Sequence, residues 1–215
     1  MTVNIFGATG LIGSHLLQAC LSEPRIAQVQ VFVRRPLAQE HPKLVQTVAT
    51  LDTLERIAPH ISGEVVLNCL GTTLRQAGSQ AAQYAVDCEY PVRVAQIAAR
   101  NGVKCMISVS SVGASETGNF YLKTKAAMEQ GVKGAMPVAY FLRPSLLKGQ
   151  RQDTRIGEKI GFGLMFVAQP LLQRGWKKYR AISARTVAQA MLRLALQQPS
   201  GPRVLHYAEI VEWAG

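Results

Sequence analysis

The chain has 215 residues, a 48% share of hydrophobic residues and a formal net charge of +11. This apolar content argues for a packed core and against disorder, and because the basic residues are scattered rather than gathered in a stripe, no nucleic-acid partner is expected. The longest mostly apolar stretch, residues 160–172, is too short to cross a bilayer, so no membrane span is expected.

The first predicted elements are a strand, a glycine-rich turn and a helix. Residues 3–6 form an apolar strand, and helical periodicity follows the turn. In the GxxGxxG turn, Gly7 would permit a tight reversal, Gly10 would let a pyrophosphate approach, and Gly13 would let the helix pack on the sheet. The helix N-terminus would present free amides to the phosphates. The predicted cofactor contacts are Gly7, Ala8, Thr9, Gly10, Leu11, Ile12 and Gly13. A turn that merely needs glycine is the alternative.

A second predicted strand, Val29 to Val33, ends in two arginines, Arg34 and Arg35. At this position a dinucleotide-binding fold meets the adenosine ribose, where an acidic residue favours NAD and an arginine accommodates the 2′-phosphate of NADP. No Asp or Glu lies between Arg25 and Gln39, and a guanidinium suits phosphate by its geometry and charge. The sequence therefore predicts NADP (NADPH) bound through both arginines, with NAD less favoured. A solvated basic strand end is the alternative.

A buried strand is predicted over residues 65–70, after a third strand at 44–49 and a short helix at 51–57. In a doubly wound sheet the carboxyl end of the fourth strand lies across the crevice from the first, at the point where strand order reverses. The residues that end this strand are therefore predicted to contact the cofactor: Leu70, Gly71, Thr72 and Thr73. An ordinary turn at a strand end is the alternative.

The second half of the chain continues to alternate strands and helices. A long helix is predicted over residues 81–101, with Pro91 able to bend it and a C-cap at Asn101-Gly102. The sequence then predicts a strand at 103–109, a helix that begins after Asn119, and another strand at 138–142. A helix at 181–196 and a last strand at 204–207 follow. This alternation indicates an α/β fold, a doubly wound parallel sheet with helices on both faces.

The candidate chemistry follows the fifth strand. Ser110 and Ser111 end that strand, while Tyr121 and Lys125 lie four residues apart at a helix start and so share one face. A lysine ammonium one turn away favours the phenolate form, which suits Tyr121 to general acid/base work. One serine can hold a carbonyl oxygen, and the lysine can bond the nicotinamide ribose. A surface Tyr-Lys pair is the alternative.

The segments GATGLIG, SVSS, YLKTK and LRPSLLKG together resemble the short-chain dehydrogenase/reductase superfamily, of the atypical or extended kind. Within it, VDCEY at 86–90 and RQDTRIGE at 151–158 are similar to the Tat-interacting-protein-type oxidoreductases and their bacterial relatives. The resemblance implies a Rossmann fold in which Tyr121 and Lys125 are the catalytic pair and bind cofactor. The implied catalytic serine is Ser111, while Ser110 is a predicted cofactor contact. Asp87 departs from the resemblance, since many relatives have asparagine there.

The resemblance covers nearly the whole chain and implies one NAD(P)-binding Rossmann domain over residues 1–215. It places Arg143, Pro144 and Ser145 near the nicotinamide, where a small C-terminal substrate-binding appendage begins at residues 145–182. The apolar segment 160–172 could be a lid, a pocket wall, the face of a homodimer or a plain core helix. The four histidines are isolated in sequence, so no metal site is predicted.

Two functions are open at this point. The first is an NADP(H)-dependent oxidoreductase that acts on a small carbonyl or alcohol, and the second is an NADP(H)-binding regulatory or interaction protein with little or no turnover. The serine, tyrosine and lysine favour the first, because a sensor does not need all three together.

The expected location is cytoplasmic. The four cysteines lack CxxC spacing and lie in apolar segments, which indicates buried thiols in a reducing compartment. The first strand begins almost at Met1, which leaves no room for a signal peptide.

Overall fold

The computed structural model describes residues 1–148, 180–200 and 203–215. In this part of the chain a seven-stranded sheet has the order β3-β2-β1-β4-β5-β6-β9, and each neighbouring pair is parallel. Its strands are β1 Thr2–Phe6, β2 Gln28–Val33, β3 Leu44–Val48, β4 Val65–Asn68, β5 Cys105–Val109, β6 Val138–Leu142 and β9 Val204–Leu205. A separate parallel pair joins β7 Leu147–Lys148 to β8 Ile182–Ser183. The predicted doubly wound α/β fold is confirmed.

Helices cover both faces of the sheet. Their bounds are α1 Leu11–Ser22, α2 Leu54–Ile57, α3 Leu74–Ala77, α4 Gln80–Tyr84, α5 Tyr90–Arg100, α6 Phe120–Ala135, α7 Ala184–Gln197 and α8 Tyr207–Ala214. On one face α1 packs against α7, which packs against α8, and on the other face α5 packs against α6. No helix of the described residues is both long enough and apolar enough to cross a membrane.

The strands inside the sheet are buried on both faces, because helices cover both sides and successive side chains point to opposite sides of a strand. The edge strand β3 has no buried residue. Val3 and Ile5 of β1 enter the core beneath α1 and α7. Phe6 enters the opposite core, where its ring stacks on Phe32 of β2 with centroids 4.4 Å apart. The register that pairs Phe6 with Phe32 is therefore fixed by packing as well as by backbone hydrogen bonds.

The helix predicted over residues 81–101 contains a π-helical turn, Ala85–Glu89, between α4 and α5. The amide of Tyr90 donates to the carbonyl of Ala85, five residues back, instead of the usual four. Pro91 follows immediately, and it has no N–H to give to the carbonyl of Asp87 in a regular α-helical pattern. The wider turn leaves two consecutive residues, Asp87 and Cys88, both buried.

The predicted strand at residues 204–207 is wrong in its second half. β9 ends at Leu205, and Tyr207 begins α8. The backbone N–H of His206 donates to the Glu209 carboxylate at 3.0 Å, which is half of a helix-capping arrangement. The Glu209 contact caps a helix at this point, so the strand stops at Leu205. The segment 160–172 lies outside the described residues.

Candidate active site

The glycine-rich turn is built from backbone that leaves no space for side chains. Gly7 has φ of +81°, and an added Cβ there would lie 2.6 Å from the carbonyl carbon of Cys69, at the end of β4. A Cβ on Gly13 would lie 2.0 Å from the carbonyl oxygen of Gly7. The glycine-rich segment therefore packs closely between β4 and the start of α1. The first backbone N–H groups of α1 have no acceptor within the helix. Such a cradle fits a pyrophosphate.

A cavity of about 590 Å³ opens beside this turn, at the carboxyl ends of β4 and β5. This is the position at which open α/β sheets bind ligands. Thirteen of the predicted site residues line it: Gly10, Leu11, Ile12, Leu70, Gly71, Thr72, Thr73, Ser110, Ser111, Tyr121, Lys125, Pro144 and Ser145. The fold therefore brings the glycine turn, the end of β4 and the proposed catalytic side chains to one space.

The other predicted site residues do not line the cavity: Gly7, Ala8, Thr9, Gly13, Arg34, Arg35 and Arg143. Gly7, Ala8, Thr9 and Gly13 belong to the turn behind it. Arg34 and Arg35 are exposed just after β2, and neither forms an ion pair within the described ranges. Their assignment as contacts to the adenosine end of a cofactor stays a prediction.

Tyr121 and Lys125 lie in the first turns of α6. The side chain of Asn119 begins this helix by accepting a hydrogen bond from the Leu122 amide at 3.0 Å. The Lys125 ammonium nitrogen lies 5.8 Å from the centre of the Tyr121 ring, so the two side chains share one face as the spacing predicts. Tyr121 is half-buried with access to the cavity, whereas Lys125 is almost fully buried.

Lys125 has a buried anionic partner, Asp87. The distance from Nζ to Oδ1 is 2.6 Å, and the two side chains are 4% and 0% exposed. The other oxygen, Oδ2, accepts a hydrogen bond from the backbone amide of Thr72 at 3.0 Å. Asp87 therefore links α6 to the segment after β4. The sequence predicts no role for Asp87. The resemblance implies only that many relatives have asparagine at this position.

A second buried carboxylate, Glu129, lies one turn further along α6. It accepts a hydrogen bond from the Ser110 hydroxyl and two from the Arg143 guanidinium, at 2.8 and 2.6 Å. This bonding raises the pKa of Arg143. Arg143 thus joins β6 to α6 beneath the cavity. Ser110 is buried and committed to Glu129, while the Ser111 hydroxyl contacts only the Val112 carbonyl, at 3.3 Å, within the described part.

Sequence reasoning missed several residues of the site. Besides Asp87, polar side chains from α4 and from the start of α6 line the cavity: Gln80, Gln83 and Asn119. Glu129 offered a signal, since it lies four residues after Lys125 and a charged residue facing the core requires a partner. The identity of this partner could not be predicted from the sequence, because Arg143 follows β6 and not the helix that carries Glu129.

The fold and the site define an NAD-binding Rossmann protein of the atypical short-chain dehydrogenase/reductase class. The sequence profile of one family matches residues 3–155, most of the chain. The chain belongs to the NAD dependent epimerase/dehydratase family.

Two curated relatives match over nearly their full length. "Protein fmp52, mitochondrial" of Aspergillus clavatus is 31% identical, with 99% of this chain and 98% of the relative covered. "Protein FMP52, mitochondrial" of Coccidioides immitis is 30% identical, with coverage of 98% and 95%. These names contradict the predicted cytoplasmic location. The four cysteines are free, and three of them are buried. Free thiols indicate a reducing environment, but they do not identify the compartment.

Two solved structures share the fold. The Bordetella bronchiseptica enzyme WbmH in complex with NAD+ has a TM-score of 0.71 at 16% identity, covering 96% of this chain and 75% of WbmH. The oxidoreductase ylbE from Lactococcus lactis has a TM-score of 0.69 at 18% identity, covering 99% and 95%. At these identities the likeness establishes the fold alone.

Proposed function

We propose that this protein is an NADP(H)-dependent oxidoreductase that transfers a hydride to or from a small carbonyl or alcohol. One observation carries the proposal. Ser111, Tyr121 and Lys125 line the same cavity as Gly10 and Gly71, at the carboxyl edge of the sheet. A proton donor and a phosphate cradle are thereby placed around one space, as carbonyl reduction requires.

The chain offers groups for each part of the cofactor. The glycine turn and the N-terminus of α1 would hold the pyrophosphate. Arg34 would bind the 2′-phosphate that distinguishes NADP from NAD, and Lys125 would bond the nicotinamide ribose. The bound nicotinamide supplies or accepts the hydride. WbmH, which shares the fold, was solved in complex with NAD+, and this supports a dinucleotide as the ligand.

Protein groups would manage the proton. The Ser111 hydroxyl would hold the substrate oxygen, because Ser110 is committed to Glu129. In reduction the Tyr121 phenol donates its proton to that oxygen as hydride reaches the carbonyl carbon, and the product is the alcohol. In oxidation the phenolate takes the proton back. The Lys125 cation, 5.8 Å from the ring centre, stabilises the phenolate in either direction.

The test replaces Tyr121 by phenylalanine and follows NADPH oxidation with a panel of small aldehydes and ketones. We expect turnover to fall by about 10²-fold or more, while the dissociation constant for NADPH stays within about twofold. Tyr207→Phe is the matched control, because Tyr207 begins α8 and does not line the cavity. It should retain full turnover.

Three results would contradict the proposal. Unchanged turnover in Tyr121→Phe would remove the tyrosine from the mechanism. NADPH binding by the unmodified protein without oxidation by any carbonyl of the panel would instead favour the regulatory or interaction function. A product that is an epimer or a dehydrated sugar, with no net oxidation of NADPH, would point to the other activities in the family's description.

A further inference from the structure

We infer that Asp87 is the positioning residue for Lys125, and that it fixes the ammonium group where a nicotinamide ribose would be bonded. The inference rests on the proposed function in one respect, since it takes Lys125 as the lysine that meets the cofactor. Asp87 itself is given no contact with the cofactor or the substrate.

The contact geometry carries the inference. A lysine has a long and flexible side chain, and ordering it costs entropy unless another group holds its end. Here Asp87 holds Nζ at 2.6 Å and is itself anchored, because its second oxygen accepts the Thr72 amide at 3.0 Å. Thr72 follows Gly71, where an added Cβ would lie 3.8 Å from the same Nζ. The ammonium group is therefore located by α6, the π-helical turn and the segment after β4 together.

The backbone of the long helix is shaped for this contact. Asp87 lies in the middle of the π-helical turn Ala85–Glu89, immediately before α5. Such a turn adds a residue to the helical repeat, and π-helical turns are frequent at functional sites. It brings Asp87 into the interior, where its side chain is fully buried. The bend that Pro91 suggested in the sequence therefore has a consequence at the site.

The negative charge of Asp87 distinguishes it from an asparagine at the same position. A buried ammonium without a counter-ion is costly, and breaking a buried pair leaves that cost uncompensated. An asparagine at position 87 could still accept the Thr72 amide, but it could not balance the charge on Lys125. The titratable and charged groups around Lys125 come from its own helix and from the helix packed beside it: Tyr121, Glu129, Asp87 and Cys88.

The main experiment is a double-mutant cycle of Asp87→Asn and Lys125→Met, with the dissociation constant for NADPH as readout. We expect each single variant to weaken NADPH binding by about tenfold, and the double variant to bind no more weakly than Lys125→Met alone. Melting temperatures give a second readout. Asp87→Asn should lose about 10 °C, and adding Lys125→Met should restore at least half of that loss, because no charge is then stranded.

NADPH affinity separates positioning from a merely structural role, because a role in folding alone would lower the melting temperature without weakening NADPH binding by the folded protein. Asp52→Asn is the matched control, since Asp52 is exposed and does not line the cavity. It should leave NADPH affinity and melting temperature unchanged.

The inference is overturned if Asp87→Asn lowers the melting temperature but leaves NADPH affinity unaltered. If Asp87→Asn does not fold, the NADPH affinities of Lys125→Met and the double variant are compared instead. Equal NADPH affinities in those two support the inference, and a further loss in the double variant overturns it. Failure of the proposed function can be told apart from failure of this inference. It would appear as unchanged turnover in Tyr121→Phe, whatever the result of the double-mutant cycle.

Discussion

The guanidinium of Arg143 meets the carboxylate of Glu129 through two parallel hydrogen bonds, Nε to Oε1 at 2.8 Å and Nη2 to Oε2 at 2.6 Å. The Ser110 hydroxyl donates to the same carboxylate. One anion thereby ties together the ends of β5 and β6 and the helix that carries Tyr121. We regard this junction as the support for the proposed catalytic side chains.

Removing the cation of that junction should destabilise the protein. In Arg143→Met the buried Glu129 carboxylate loses its charged partner, and we expect the free energy of unfolding to fall by about 2–3 kcal/mol. This is at or below the usual cost of breaking a buried pair, because 21% of the Arg143 side chain is exposed. Urea denaturation measures it.

A matched control for this change is Arg100→Met. Arg100 pairs with Glu55 at 3.0 Å, but the two side chains are 62% and 58% exposed. Such a pair contributes less than about 1 kcal/mol, because water screens it. Equal losses in the two variants would contradict a special role for the Glu129 junction.

Gly13→Ala should damage both folding and cofactor binding. Its Cβ would collide with the Gly7 carbonyl, at 2.0 Å, and its nearest neighbours are backbone atoms of Gly7 and Ala8, which have little room to move. We expect a loss of at least about 2 kcal/mol in the free energy of unfolding and a weaker affinity for NADPH. Gly134→Ala in α6 should instead stabilise by about 0.5–1 kcal/mol, since no atom lies within 4 Å of the new Cβ. A tolerated Gly13→Ala would show that the turn can open.

Cofactor choice should depend on Arg34. Arg34→Ala should weaken NADPH binding by about tenfold, equivalent to about 1.4 kcal/mol, and leave NADH binding unchanged, because only NADPH carries the 2′-phosphate. Arg25→Ala is the control, since Arg25 is an exposed arginine that precedes β2 and pairs with Glu23. Equal affinity of the unmodified protein for NADPH and NADH would refute the assignment of NADP.

The cysteines should resist thiol reagents in the folded protein. Burial raises the pKa of Cys20 and Cys105 to about 12, and it raises the pKa of Cys69 and Cys88 as well. At pH 8 a thiol of pKa 12 has a thiolate fraction on the order of 10⁻⁴, and thiolate is the reactive form. Titration with Ellman's reagent should find no rapid reaction in buffer and four thiols in concentrated urea. A thiol that reacts at once in buffer would contradict this account.

Much of the fold was predictable because it depends on local patterns. The apolar strand before Gly7, the buried run at Val65 and the YxxxK pair at Tyr121 and Lys125 each show in a few adjacent residues. The alternation of strands and helices in which they lie predicts a doubly wound parallel sheet. The glycines also behave as expected at the level of packing. The sequence could not show which strand each glycine meets, and Cys69 is in fact the neighbour of Gly7.

The contacts of the site that sequence did not predict depend on pairs that are distant along the chain. Asp87 finds Lys125 through a π-helical turn, and a helical pattern alone predicts a regular helix there. Arg143 was assigned to the nicotinamide by resemblance, whereas the structure commits its guanidinium to Glu129. A charged residue in an apolar pattern shows that a partner is needed, but only the tertiary structure shows which one.

The contact between Gly13 and the Gly7 carbonyl has an evolutionary consequence. The backbone that would cradle a pyrophosphate is the same backbone that holds α1 and β4 against β1, so selection for folding and selection for binding act on these positions together. Arg34, by contrast, is exposed beyond the end of β2 and supports no other part of the described structure. If Arg34 binds the 2′-phosphate as proposed, descendants of this protein could exchange one dinucleotide for another by changing that strand end, whereas the glycine turn would tolerate few substitutions.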